Sequence, residues 1–227
     1  MQAQSLFPEP VTVEGCVASC EYSKRLEFTR ALLIGFVITW ALIAAMVITL
    51  PLIDGWGKLQ YGLTAVGLGL LSTIIRKLLH LGPWDARVSP FITILILAAV
   101  AGYLKAFHAS GWPIWLLSLP PLSILGYILL CGRDFSFLGM AVLGFIACAI
   151  AYLAMAAFGT LPWIYMWEAS GLAILFHFFV SYDLAMIMKR RQPREVIEGV
   201  CDLYRDPLNF FTYGIRVWSH WRRYRFV

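Results

Sequence analysis

Two aspartates in an otherwise strongly apolar part of the chain are the residues best suited to chemistry. Asp183 lies near the end of a long apolar segment, and Asp206 lies in the moderately apolar segment that follows a short basic turn. Acids inside membrane helices are costly, and those that occur usually serve ion or proton movement. On adjacent antiparallel helices, the depths of these two residues would differ by about two turns or less, so that their carboxyl groups could meet.

A pair of carboxyl groups can act as a proton-sensitive gate for a cation. Two carboxyl groups that share one proton form a hydrogen-bonded pair, whereas two ionised carboxylates repel each other. Loss of the proton would separate Asp183 from Asp206 and favour transient binding of a divalent cation such as Ca²⁺, which prefers carboxylate oxygens. In the structural alternative, each acid is neutralised by a basic neighbour, and Arg76 is the candidate for Asp183.

Three further polar residues are candidates for the lining of an ion path. Asp202 lies four residues before Asp206, on the same helix face, and Pro207 weakens the helix there, which is typical both of ion coordination and of a plain kink. Glu168 could be an acid at the far mouth of a pore or an ordinary interfacial charge. His177 could line the path, although a histidine in an apolar helix is more often buried and hydrogen-bonded.

The motifs of enzymes and of cofactor-binding proteins are absent or incomplete. EASG at 168–171 is similar to the nucleophile site of intramembrane serine proteases, but His177 lies on the same helix, and a general base must come within hydrogen-bonding distance of its nucleophile. The chain contains no H-E-x-x-H motif, phosphate-binding loop or glycine-rich dinucleotide turn. Cys16 and Cys20 leave disulfide or metal pairing open, without a second pair to complete a zinc site. We therefore expect neither an enzyme nor a bound cofactor.

The composition is that of an integral membrane protein. The 227 residues are 60% hydrophobic and 14% charged, whereas soluble domains are about 45–50% apolar and about a quarter charged. Several apolar runs have the length of roughly 20 residues that crosses the hydrocarbon core. The net charge of +5 then indicates membrane topology and contact with membrane lipid, and gives no reason to expect a nucleic-acid partner.

The apolar segments predict an all-α, polytopic protein with six transmembrane helices. The helices lie at residues 31–53, 57–75, 88–104, 112–131, 137–158 and 162–188, and short turns join them. Pro120 and Pro121 in the fourth helix should kink or break it. We expect residues 1–22 to be a disordered cytosolic tail, residues 23–218 to be the transmembrane domain, and residues 219–227 to be a basic C-terminal tail.

Lysine and arginine are distributed unequally between the two ends of these helices. Lys58 and Lys105 flank one end, and eleven basic residues flank the other: Lys24, Arg25, Arg30, Arg76, Lys77, Arg87, Arg133, Lys189, Arg190, Arg191 and Arg194. This asymmetry predicts a cytosolic N-terminus. The seventh segment, 196–218, carries too many charges to face lipid. We expect it at the centre of a ring of the six helices, with the side of its basic tail left open.

Two motifs near the C-terminus resemble those of the transmembrane Bax inhibitor motif family, which includes Bax inhibitor-1. SYDLAMIM at 181–188 resembles the tyrosine–aspartate motif that ends the family's sixth helix. DLYRDPLNFF at 202–211 resembles the leucine–tyrosine–x–aspartate–x–x–asparagine–leucine–phenylalanine signature of its last helix. Three weaker matches occur in the family's order: FTR at 28–30, Arg76 with Lys77, and RDFSFLG at 133–139.

The resemblance implies a fold and a function. Family members place six helices around a central seventh, in the endoplasmic reticulum, the Golgi or a bacterial inner membrane. They pass Ca²⁺ as a pH-sensitive leak, and many suppress cell death. By resemblance, Asp183 and Asp206 are the paired acids that latch the pore, and Arg76 is the arginine bonded to them.

Departures from the family pattern point to a remote member, such as a viral homologue. Leu184 and Ala185 replace polar residues of the family, and Arg205 and Pro207 stand where it has apolar ones. The rival to a channel is a non-conducting membrane adaptor, which binds other membrane proteins of the cell-death or immune pathways and reroutes them. A channel needs the acid pair, whereas an adaptor should tolerate its loss.

Overall fold

The computed structural model of the chain describes residues 14–78, 83–132, 137–158 and 163–205. These residues are helical and contain no strand, as the sequence predicts. Seven α-helices lie within the described ranges: α1 (Tyr22–Thr49), α2 (Lys58–Leu78), α3 (Pro83–His108), α4 (Leu119–Cys131), α5 (Phe137–Phe158), α6 (Trp163–Arg190) and α7 (Val196–Arg205). Two short 3-10 helices, Val17–Ser19 and Ile114–Ser118, precede α1 and α4.

Five helical segments of the described chain are long and apolar enough to cross a membrane. They are Tyr22–Thr49, Lys58–Ile75, Arg87–His108, Ile114–Cys131 and Trp163–Arg190. The apolar stretch Val142–Phe158 within α5 is shorter. Large apolar side chains on the outside of the bundle, among them Ile48, Leu130 and Phe158, are at least three-quarters exposed, as expected of a surface in contact with lipid. The chain is therefore membrane-embedded, whereas six helices around a seventh stays a prediction.

The fourth span is broken where its two prolines lie. The segment begins as the 3-10 helix Ile114–Ser118 and continues as α4, with Pro120 and Pro121 in the first turn of α4. The first N–H groups of a helix have no partner within it, so a proline there removes no hydrogen bond. The expected break is thus a junction between two helix types.

A short helix lies in the N-terminal segment before α1. Val17–Ser19 form a 3-10 helix, and Cys16 and Val17 have no exposed surface. The Val17 side chain packs in the apolar cluster of Phe28 and Met188. The structure therefore docks Val17–Ser19 through one apolar side chain that lies between α1 and α6, and the disordered tail stays a prediction. Residues 1–13 lie outside the described part.

Glycines allow several helix pairs to approach closely. In the α2–α3 pair, the Tyr61 ring covers Gly102, and the Tyr103 ring lies against Gly62. In the α1–α7 pair, a Cβ atom at Gly199 would lie only 2.7 Å from Leu32 Cδ1. Small residues at helix contacts are typical of membrane proteins, where helices gain mainly from close packing because lipid is as apolar as the side chains.

Of the candidate spans, α6 is the most enclosed, and α7 packs beside it. Within the most apolar window of α6, 61% of the residues are buried, against at most 39% in the other four candidate spans. The shorter α7 packs against α1, α2, α3 and α6. The sequence predicts the central position for the seventh segment, and a ring of six helices around it stays a prediction.

Replacing Gly102 with alanine is expected to lower the thermal unfolding midpoint in detergent. The new methyl group would collide with the Tyr61 ring, whose hydroxyl oxygen is held by the N–H of Ile53 at 2.7 Å. Overpacking of this kind destabilises by about 1–3 kcal/mol. Gly67→Ala is the matched control, because nothing lies within 4 Å of its Cβ position. Equal midpoints for the two variants would contradict the packing argument.

Candidate functional site

A tight turn folds α7 back from the end of α6. The N–H of Arg191 donates to the Ile187 carbonyl at 2.8 Å, which completes the last turn of α6. The N–H of Glu195 donates to the Gln192 carbonyl at 3.0 Å, and the N–H of Gln192 donates to Glu195 Oε2 at 2.8 Å. These bonds satisfy backbone groups at both helix ends. The turn therefore fixes where α7 starts.

A buried ion pair joins this turn to α7. Arg191 Nε and Nη2 donate to the two carboxylate oxygens of Asp202 at 2.7 and 3.0 Å. The two side chains are only 6% and 9% exposed. Arg191 Nη1 also lies 3.6 Å from Glu195 Oε1, at the more exposed rim of the turn. Bidentate, charge-assisted bonds are among the strongest and most directional hydrogen bonds in proteins.

Asp183 lies on α6 and faces protein. Its exposed fraction is 4%, and the five successive residues 180–184 are all buried. Five residues cover more than one helical turn, so protein surrounds this part of α6 on every side. Leu184 belongs to the apolar cluster that includes Ile128, Met140 and Leu203. Asp183 is therefore enclosed by protein, and its role in a gate stays a prediction.

The two predicted partners of Asp183 are described only in part. Arg76 lies in the last turn of α2, and its side chain is not among those described. Asp206 lies outside the described residues, directly after Arg205 at the end of α7. The packing of α7 against both α6 and α2 brings together the helices that lead to these residues. The pairing itself and its transient Ca²⁺ stay predictions.

The structure places Asp202 in the ion pair with Arg191. The sequence leaves open whether this acid lines an ion path or marks a plain kink. In the structure, both carboxylate oxygens are occupied by the guanidinium group, which neutralises the charge. Its position therefore fits an anchor of α7, and contact with a passing ion stays a prediction.

His177 and Glu168 lie away from Asp183 along α6. His177 is 2% exposed; its Nδ1 atom lies 3.4 Å from Ser123 Oγ, and its ring covers Gly144 of α5. This position agrees with the alternative of a buried packing histidine. Glu168 is exposed, and its Oε2 atom accepts a hydrogen bond of 3.4 Å from Trp112 Nε1. The 15 residues from Glu168 to Asp183 span about 22 Å of helix, so the structure does not bring these acids together.

The sequence does not predict two of the contacts that hold α7 in place. Arg191 belongs to a basic cluster after a membrane helix, and such clusters usually indicate only the cytosolic side. Its position before the turn nevertheless allows it to face Asp202 on α7. The hydroxyl groups of Tyr204 and Thr39 lie 2.5 Å apart and join α7 to α1. The Tyr204 ring also packs on Phe36, with 5.7 Å between centroids. The C-terminal motif contains Tyr204, but nothing in the motif indicates that Thr39 of α1 is its partner.

Carboxylates in the described ranges do not form a preorganised metal site. Within those ranges, no group of three or more His, Cys, Asp or Glu side chains could hold a metal ion. The proposed Ca²⁺ ligands include Asp206, which lies outside them. A permeating ion also requires weak binding, in contrast to a resident metal.

Replacing Arg191 with methionine is expected to destabilise the fold by about 3–5 kcal/mol, because the Asp202 charge would lose its partner in a buried site. Arg191→Met combined with Asp202→Leu should recover most of this loss, since apolar pairs of similar volume replace buried ion pairs well. Thermal unfolding in detergent, followed by circular dichroism, measures both variants.

Arg194→Met is the control for this series, because Arg194 lies in the same turn but is exposed. It should unfold at the temperature of the parent protein. A double variant that is as unstable as Arg191→Met would contradict the assignment of the ion pair as the source of the loss.

Comparison of the chain with family models, with curated proteins and with solved structures gives no match. The resemblance to the transmembrane Bax inhibitor motif family therefore rests on the short sequence motifs alone, chiefly the two near the C-terminus. What the fold itself establishes is a membrane-embedded helical protein with a buried acid in its most enclosed helix.

Proposed function

We propose that this chain is a pH-sensitive, Ca²⁺-permeable leak channel of intracellular membranes. The burial of Asp183 carries the proposal, because its carboxyl group lies in an apolar helix long enough to span a membrane and is enclosed by protein. Burial of a carboxyl group is costly unless a partner compensates it, so such groups are rare in membrane helices. An ionisable residue in such a position therefore marks an ion or proton path by default.

The proposed gate consists of Asp183 and Asp206, with Arg76 as their basic partner. The chain enters Asp206 from α7, which packs against α6, the helix of Asp183, and against α2, the helix of Arg76. With one shared proton, the two acids would hold α7 closed. After loss of that proton they would repel each other and admit a divalent cation between them.

The ion pair of Arg191 with Asp202 has a separate part in this proposal. Because the Arg191 charge is matched by Asp202, the pair would hold the start of α7 in place while the proton equilibrium acts further along the helix. Opening would then be a hinged movement of α7 about the turn, which needs no change in α6.

The proposed location and physiological effect come from the sequence. The distribution of basic residues supports a cytosolic N-terminus, and the family resemblance supports the endoplasmic reticulum or the Golgi. A Ca²⁺ leak there would lower the content of the store, and by that route it would inhibit apoptosis.

Purified protein in liposomes is expected to pass Ca²⁺ faster at pH 8 than at pH 6. A gate controlled by one proton changes its open fraction by no more than about tenfold per pH unit, so the difference is bounded at about a hundredfold. Asp183→Asn combined with Asp206→Asn should abolish the pH response, because amides do not ionise in this range. An indicator dye trapped inside the vesicles measures the flux.

The control is Asp54→Asn, which removes an exposed acid from the turn after α1 and should conduct like the parent. Flux equal to that of empty vesicles at both pH values would contradict the channel. That result would favour the non-conducting adaptor, whose binding to other membrane proteins should survive loss of the acid pair.

A further inference from the structure

We infer that residues 14–20 form an N-terminal clasp that holds α7 in place through Arg191. The contacts in the structure carry the inference that the docked clasp fixes α7. Only the effect of the clasp on conduction rests on the proposed function. A segment of this kind would make the position of α7 depend on events at the N-terminus of the chain.

The clasp is docked by one side chain and one thiol. Val17 and Cys16 have no exposed surface, while Ala18 and Ser19 between them and α1 are exposed. Val17 lies in the same apolar cluster as Ile187 and Met188 at the end of α6. Full burial of one valine side chain stabilises enough to hold a short segment in place and little enough for the segment to be released.

Hydrogen bonds give the clasp a defined shape. Ser19 Oγ donates to the Cys16 carbonyl at 2.7 Å, and the N–H of Cys20 donates to the Val17 carbonyl at 3.0 Å. Arg25 Nη1, on the first turn of α1, donates to the Cys20 carbonyl at 3.1 Å. These bonds close the 3-10 turn and connect it to α1, so that the segment enters its site in one orientation.

One residue connects the clasp to α7. The N–H of Val17 donates to the carbonyl of Arg191 at 2.8 Å, while the guanidinium group of the same Arg191 holds both carboxylate oxygens of Asp202. The carbonyl follows the last turn of α6, where helical carbonyls have no partner within the helix. Undocking of the clasp would leave this carbonyl and the apolar cluster beneath it uncovered. Arg191 would then lose the contact that orients its backbone.

The clasp, which is held by few contacts, is thereby coupled to the position of α7. A three-residue 3-10 helix with few buried side chains is the kind of element that opens locally, at a small fraction of the global free energy of unfolding. In the proposed channel, a docked clasp would keep α7 closed, and release of the clasp would raise conduction at a given pH.

Cysteine reactivity tests the clasp directly. Three variants are needed, each keeping one cysteine and carrying alanine at the other four: Cys16 reports the clasp, Cys201 reports α7, and Cys131 is the exposed reference. The rate of reaction with a small maleimide in detergent should be at least about tenfold lower for Cys16 and Cys201 than for Cys131, because a buried thiol reacts only when its element opens.

Two substitutions in neighbouring positions then separate docking from added charge. Val17→Asp places a carboxylate in the apolar site and should raise the labelling rates of both Cys16 and Cys201 at least severalfold. Ala18→Asp adds the same charge on the exposed side and should change neither rate. If Val17→Asp protein is not recovered, Val17→Ala should give a smaller rise in both rates, since it only removes part of the buried surface.

Two outcomes would overturn the clasp. In the first, Cys16 of the parent protein reacts as fast as Cys131, which means that the segment is not docked. In the second, Val17→Asp exposes Cys16 but leaves the rate of Cys201 unchanged, which means that docking does not hold α7. Neither readout depends on conduction, so failure of the channel would not imitate failure of the clasp.

Ca²⁺ flux at pH 6 completes the test. A rise in flux for Val17→Asp, absent for Ala18→Asp, supports the clasp as a regulator of the proposed channel. Increased labelling of both thiols without a change in flux supports the docking of the clasp and contradicts its role as a regulator of conduction.

Discussion

The pairing of Arg191 with Asp202 is the interaction on which the arrangement of α7 depends. Neither lipid nor bulk water can compensate these charges at 6% and 9% exposure, so each side chain requires the other. The two residues lie on opposite sides of the turn after α6. Their contact therefore sets the angle at which α7 returns along α6, and with it the direction in which the chain continues toward Asp206. The polar helix α7 can lie inside the bundle because Arg191 neutralises the charge of Asp202.

Close approach of helices provides the second constraint. Gly199 and Gly35 let α7 lie against α1, with Leu32 and Val200 filling the space that a larger residue would need. The hydrogen bond between Tyr204 and Thr39 then ties the same two helices one turn further along α7. In lipid, where burial of apolar surface gives little advantage, such packing and polar contacts hold helices together. The ion pair orients the start of α7, and the contacts with α1 fix its depth.

Hydrophobic length predicts most of the helices and almost nothing of their contacts. The predicted fifth helix has the bounds of α5, and the sixth differs from α6 by a residue or two at each end, because an apolar run must end where the membrane does. The docking of Val17 was not predictable, because this residue belongs to no long apolar run and because its site is formed by distant helices. The role of Arg191 in the ion pair was equally unpredictable, because a basic residue after a membrane helix is expected on topological grounds alone. The sequence singles out Asp183 by the cost of a charge in lipid, but it does not show that five successive residues of α6 are buried around it.

Protein surrounds Asp183 on every side, and this limits how the structure can respond to a change in the charge of its carboxyl group. Water could solvate an exposed carboxylate, but a side chain surrounded by protein must be compensated by the movement of a charged or polar group. α6 is the most buried of the candidate spans, so its displacement would disturb the largest part of the core. α7 is ten residues long in the described chain and is held by the turn after α6, the Arg191–Asp202 ion pair and its contacts with α1. In the proposed gate, α7 would therefore be the element that moves in response to Asp183, and the contacts that fix the Arg191 turn would set how readily it moves.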